Sequence, residues 1–235
     1  MSIKTIAIHQ PNFFPWLGYF YKMSQADVFV FHDNVQITKS GPTRRVKIKA
    51  NNPNDDFQWL TVPLTKHSDF SLIKDLEISF EKNWIQKHLA LIREAYRHYD
   101  NFQQFYPVLS AWYDEFHSFT SLSKLNIWLI KTIAEYLEIK CFFYESSALP
   151  VGGISSAYNV NIVQHLGGSR YLSGKGGDNY QDHQQFTEKD IELKVLDARH
   201  AIEMKLPEYK NAIGFSCIEL FMSLDIETLR RAIHT

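Results

Sequence analysis

The apolar positions of this chain alternate between a strand-like and a helix-like rhythm. Ile3, Ile6, Ala7 and Ile8 form a short apolar run that predicts a buried strand, and Pro11 and Pro15 fix φ in a loop that cannot continue it. Residues 19–25 are compatible with a helix, and Asp27-Val28-Phe29-Val30-Phe31 predicts a second strand. Strand, short helix and strand open a parallel unit in which His9-Gln10 and His32-Asp33-Asn34 leave the sheet at the same edge. Val46 and Ile48 then alternate with Arg45, Lys47 and Lys49, which predicts a hairpin strand with Trp59-Leu60-Thr61-Val62-Pro63-Leu64 returning.

From 83 to 138 the spacing turns helical. Trp84, Ile85, His88, Leu89, Ile92, Ala95, Tyr96 and Tyr99 recur at three- and four-residue steps, and further helices are predicted over 106–116 and 121–137. Residues 139–144 resume a strand, and 155–166 read as a helix ended by Gly167-Gly168. Arg170-Tyr171-Leu172 predicts a strand, 186–191 a short helix and 193–196 another strand. An amphipathic helix over 218–224 and a helical turn through Leu229 and Ile233 close the chain. The expectation is a single α/β domain over 1–235 with a mostly parallel, Rossmann-like sheet and a helical insertion at 83–138.

With 235 residues, 45% hydrophobic and 14% aromatic, the chain can bury a large core. A net charge of −1 supplies no field for nucleic acid or an anionic membrane, and the apolar runs are broken well short of the roughly 20 residues of a membrane span. Cys141 and Cys217 stand apart in apolar surroundings, without ligand spacing for zinc, and no apolar leader opens the chain. A cytoplasmic location is expected.

Three segments look chemical. The loop after the first strand presents His9, Gln10 and Asn12 on rigid backbone, where open α/β sheets bind ligands. The basic segment, with Lys39, Arg44 and Arg45 around Gly41-Pro42, is either a solvated edge or an anion site, since a guanidinium can grip a phosphate or carboxylate bidentately. Ser173-Gly174-Lys175-Gly176-Gly177 follows a strand, and its glycines let backbone N–H groups approach an anion, although the spacing is not that of a P-loop. His88, His98 and His117 read as core or surface histidines. Trp16, Trp59, Trp112 and Tyr180 could stack on sugar rings, or belong to the core.

The run His9-Gln10-Pro11-Asn12-Phe13-Phe14-Pro15-Trp16-Leu17-Gly18-Tyr19-Phe20, with Ala26-Asp27-Val28-Phe29-Val30, Asp33-Asn34-Val35-Gln36, Trp59-Leu60-Thr61-Val62-Pro63 and Tyr171-Leu172-Ser173-Gly174-Lys175-Gly176-Gly177, resembles the WbqC-like family over nearly the whole chain. The resemblance implies a bacterial cytoplasmic protein of O-antigen or capsule biosynthesis, and a transferase that places an acyl group, glycyl in particular, on a nucleotide-linked amino sugar. The order of strand, His, proline turn and strand also resembles the nucleotidylyltransferase and pantothenate-synthetase group, without its HxGH spacing.

On the family's implied chemistry, His9 would serve as general base or as an oxyanion or phosphate donor, and Asp33 would orient an imidazole or accept the substrate ammonium. Gln10, Asn12, Lys39 and Ser173 would contact substrate. Arg44, Arg45 and Lys175, with the N–H groups of Gly174, Gly176 and Gly177, would hold a diphosphate. The alternatives are an ATP-dependent, Mg²⁺-assisted enzyme that activates a carboxylate, and a non-catalytic sugar-binding protein. No metal ligand set is identified, and an oligomer is compatible with the sequence.

Overall fold

A computed structural model describes residues 3–38, 41–52, 54–178 and 181–234, the side chain of Asp178 excepted. Lys39 and Tyr180, both named above, lie outside the described residues. Strands β1 (Thr5–His9) and β2 (Val28–Phe31) pair in parallel around helix α1 (Leu17–Ser24). Hairpin strands β3 (Arg45–Lys49) and β4 (Phe57–Thr61) form a separate antiparallel ribbon. Helices α2 (Trp84–Tyr96), α3 (Phe102–Asp114) and α4 (Leu122–Tyr136) fill the predicted helical stretch, with α3 beginning four residues before the expected start at 106.

Strand β5 (Phe142–Glu145) returns to the sheet, followed by α5 (Ser156–His165), β6 (Arg170–Gly174), the one-turn α6 (Lys175–Asp178), α7 (His183–Thr187) and β7 (Glu192–Leu196). Helices α8 (Ala198–Lys205), α9 (Ile218–Ser223) and α10 (Ile226–His234) complete the chain.

The main sheet has the order β5-β2-β1-β6-β7 and every neighbouring pair is parallel. Counted along the chain, that is the Rossmann order 3-2-1-4-5. Both faces are covered, as a parallel sheet requires. Ile6, Ile8, Val28 and Val30 point into a core shared with Tyr158, Ile162 and Val163 of α5. Ala7, Phe29 and Phe31 point the other way, into the larger core built by α1 to α4 and α8 to α10. Strict alternation on β1 and β2 therefore divides one apolar run between two layers.

The proline-rich loop after β1 is itself core. Phe13 and Phe14 are fully buried, and Phe14 holds a positive φ of 39° while stacking on Tyr113 at 5.6 Å. A non-glycine residue persists there only where its surroundings over-determine it. Three anchors do so. Phe13 N donates to the Pro42 carbonyl at 3.1 Å, Ser216 Oγ to the Phe14 carbonyl at 3.0 Å, and Cys217 N to the Pro15 carbonyl at 3.1 Å. Asn126, buried on α4, donates from Nδ2 to the carbonyls of Pro11 (2.9 Å) and Thr43 (2.7 Å).

Candidate functional site

In the order β5-β2-β1-β6-β7 the chain reverses direction between β1 and β6, and the crevice at the carboxyl ends of those strands is where such sheets bind ligands. A cavity of about 850 Å³ lies there, lined by His9 from the end of β1, by Ser173 to Gly177 at the end of β6 and in α6, and by residues 196–200 from the end of β7 into α8. The proline-rich loop and the glycine-lysine turn thus meet at one cavity.

His9 is partly buried. Its Nδ1 lies 3.2 Å from the Gln10 carbonyl oxygen, which accepts the Nδ1 proton and leaves Nε2 as the acceptor. Burial, with the neighbouring Lys22 charge behind it, pushes His9 down to about 3, so the ring is neutral at physiological pH. Tyr19 fixes the ring's other side, edge-on at 4.7 Å, while its hydroxyl donates to the same Gln10 carbonyl at 3.0 Å. Gln10 therefore supplies its main chain to the site.

Lys22 is the residue that the sequence did not offer. It lies on α1, is 5% exposed, lines the cavity, and donates from Nζ to the Ile8 carbonyl at 2.9 Å. Among the described residues no carboxylate stands within ion-pair distance of it, and burial lowers its pKa to about 7. An amine in that state exchanges a proton at working pH.

The glycine-rich turn after β6 is partly helical. Its last residues form α6, and none of Gly174, Gly176 and Gly177 has a positive φ. A Cβ on Gly174 or Gly176 would meet nothing within 4 Å. The fold does not require glycine at either position; what the missing side chains leave is open cavity. Lys175 donates from Nζ to Asp197 Oδ2 at 2.7 Å, and Asp197 caps α8 by accepting from His200 N at 3.1 Å. A phosphate at this turn would share Lys175 with that carboxylate.

Asp33 does not line this cavity. Its buried carboxylate accepts from Ser146 Oγ (3.1 Å), Ser147 N (2.9 Å) and Ser147 Oγ (2.6 Å), tying the end of β2 to the turn after β5 rather than orienting His9. The basic residues also separate from the glycine turn. Arg44 lines neither this cavity nor the next, and Arg45 lies with its guanidinium 4.2 Å above the Trp59 ring.

That pair belongs to a second cavity of about 410 Å³ beside the first, with Asn12 in its wall. Asn12 is 3% exposed and its Oδ1 has no hydrogen-bond partner among the described residues. Trp16 and Arg199 line both cavities. Gly18 explains the position of Trp16, because a Cβ there would come within 2.0 Å of Trp16 Cζ3. Trp112 is core, packed edge-on against Phe105 and Tyr136.

His88 fastens the hairpin to the helical layer. Its Nε2 accepts from Thr61 N at 3.0 Å, and its Nδ1 faces the Tyr113 hydroxyl at 3.2 Å. Among the described residues no group of three or more His, Cys, Asp or Glu side chains could hold a metal ion, and no helix is long and apolar enough to cross a membrane.

A Rossmann-order α/β protein with a polar crevice at its topological switch point is the class that this geometry defines. The chain belongs to the WbqC-like protein family, which it matches over residues 10–231. It is also similar to a protein of Mycobacterium tuberculosis (strain ATCC 25618 / H37Rv), the uncharacterized protein Rv1507c, at 29% identity over 196 residues, or 83% of each chain. No solved structure matches it.

Proposed function

We propose that this protein is a transferase that acylates the amine of a nucleotide-linked amino sugar, as a step in building bacterial surface polysaccharide. The observation that carries the reading is the meeting of His9, Lys22 and the open glycine turn in one switch-point cavity. Amide formation needs an amine stripped of its proton, an acyl carbonyl held close to it, and donors where the oxyanion develops.

Two basic groups stand where the amine would lose its proton, and magnitude divides them. His9, at about 3, is neutral but a weak base, whereas Lys22, at about 7, is matched to the working pH. In this reading neutral Lys22 takes the proton of the substrate ammonium, and His9 Nε2 accepts a hydrogen bond from the amine and aims its lone pair. The nitrogen attacks the acyl carbonyl and a C–N bond forms; the nitrogen then gives up its second proton to solvent, the bond from the carbonyl carbon to the acyl carrier breaks, and the carrier leaves with the proton returned by Lys22. Ser173 and the N–H groups of the glycine turn face the anionic part of the substrate.

The test is direct. The protein is incubated with nucleotide-linked amino sugars and acyl donors, glycyl donors included, and the products are weighed by mass spectrometry. Acylated sugar formed by the parent and lost in folded His9→Ala and Lys22→Met is the expected result. Full turnover in both variants, or no acylated product from any pairing, overturns it.

The strand order supports one further reading, because this arrangement commonly binds nucleotides at the same crevice. An enzyme that activates a carboxylate with ATP and Mg²⁺ would release pyrophosphate without an amino sugar present, and that assay separates the two.

A further inference from the structure

The second cavity is chemically unlike the first. Its walls are aromatic and aliphatic, from Trp16, Trp59, Tyr209, Ile213 and Phe215, and its charged lining residues, Arg45, Lys47 and Arg199, are all cations. It opens between the hairpin, the proline-rich loop and the segment after α8. Apart from the tyrosine hydroxyl and the indole N–H groups of its aromatic wall, the neutral polar side chain in it is that of Asn12. The Asn12 carboxamide is almost wholly buried, yet its Oδ1 accepts no hydrogen bond from the described residues, a state that costs free energy until a donor arrives.

We propose that this second cavity is a nucleobase pocket: the flat base rests on the aromatic wall, an N–H on its edge donates to Asn12 Oδ1, and its phosphates pass Arg199 toward the first cavity. The assignment rests on the reading of the first cavity as the site of the substrate's anionic part.

Five observations converge on it. Aromatic faces bind bases without requiring many polar partners, whereas a sugar ring with hydroxyls on every edge would leave most of them unpaired against these walls. Asn12 can match a base edge, offering an acceptor and donors from one planar group. The cationic rim fits a ligand whose remainder is anionic. Trp16 and Arg199 belong to both cavities, so a single extended ligand can occupy the two at once. The volume of about 410 Å³ lies within the range of small-molecule sites.

Calorimetry with the whole protein tests this, using inorganic pyrophosphate, then ADP, GDP, CDP and UDP in turn. At least one nucleoside diphosphate is expected to bind about tenfold or more tightly than pyrophosphate, the gain that base stacking typically supplies. Trp59→Ala and Asn12→Leu should each remove most of that gain and leave pyrophosphate binding unchanged. Trp59 is 38% exposed on a hairpin strand, so its variant carries the test even if Asn12→Leu folds poorly.

Equal affinity for pyrophosphate and all four diphosphates overturns the base pocket and leaves the first cavity's reading standing. A diphosphate preference that survives both substitutions overturns it too, because the base then binds elsewhere. If neither pyrophosphate nor any diphosphate binds, the anionic reading of the first cavity fails and the pocket falls with it.

Discussion

The ammonium of Lys22 is held by the carbonyl of Ile8, one residue before His9, at 2.9 Å. A helix side chain thus reaches under the sheet edge and sets a titrating amine against the carboxyl end of β1. Replacing it should separate stability from function. The unfolded lysine keeps its proton to 10.5, whereas the folded one releases it near 7, so the parent gains stability as pH rises across that interval. Lys22→Met removes this slope, of at most about 1.4 kcal/mol per pH unit. Urea titrations at pH 7 and 10 check it, and an unchanged slope would show that the lysine is solvated in solution.

Acid should act through the histidines. Burial lowers His9 to about 3 and His32 and His88 to about 4, against 6.5 unfolded. The unfolded chain therefore binds these protons first, and stability, full above 6.5, falls as pH drops toward 4. His88→Gln should flatten part of that fall, at the expense of the Thr61 and Tyr113 contacts, about 1 kcal/mol each at pH 7. Urea midpoints of parent and variant across pH 4 to 7 measure the difference.

Gly176→Ala offers a cleaner separation. Alanine in place of a helical glycine stabilises by about 0.4–1 kcal/mol where the backbone allows it, and a Cβ here meets nothing. The melting temperature should hold or rise. Pyrophosphate affinity should drop severalfold, since the methyl group enters the cavity. Unchanged binding would remove the glycine turn from the anion site.

Gly18→Ala should act on both cavities from a distance. The new Cβ would collide with the Trp16 ring, a partly exposed side chain that can swing aside, so the cost in stability is about 1 kcal/mol while the shared wall moves. Tryptophan fluorescence reports the shift. In the Trp16→Ala background the same substitution should cost almost nothing, and an equal cost in both backgrounds would exclude this contact as the cause.

Asp33→Asn should behave as a structural change. Its carboxylate joins two serines to the end of β2, so the loss is about 1–3 kcal/mol of stability, with the pH profile of turnover unmoved. A shifted profile would return Asp33 to the site.

The strands of the parallel sheet were legible because strands buried on both faces read as continuous apolar runs, as in Val28-Phe29-Val30-Phe31. The meeting of His9 with the glycine turn followed from that topology. Helix α8 was not legible: Ala198 and Ile202 are its only buried residues, too sparse an apolar stripe for a helical period to emerge. Lys22 was hidden for a related reason. A lysine on a short helix reads as a solvated residue, and only the folded structure, in which its Nζ turns toward the Ile8 carbonyl of β1, shows it buried. Arg44 and Arg45 were separated from Lys175 by an event invisible in sequence, the departure of the hairpin from the main sheet.

Asn126 holds the chain at two places far apart in sequence, and both lie beside the second cavity. Any tilt of α4 carries the exit of β1 and the approach to the hairpin along as one piece. The spacing of those two walls is thereby set twice over, by this carboxamide from the helical layer and by the direct bond from Phe13 N to the Pro42 carbonyl.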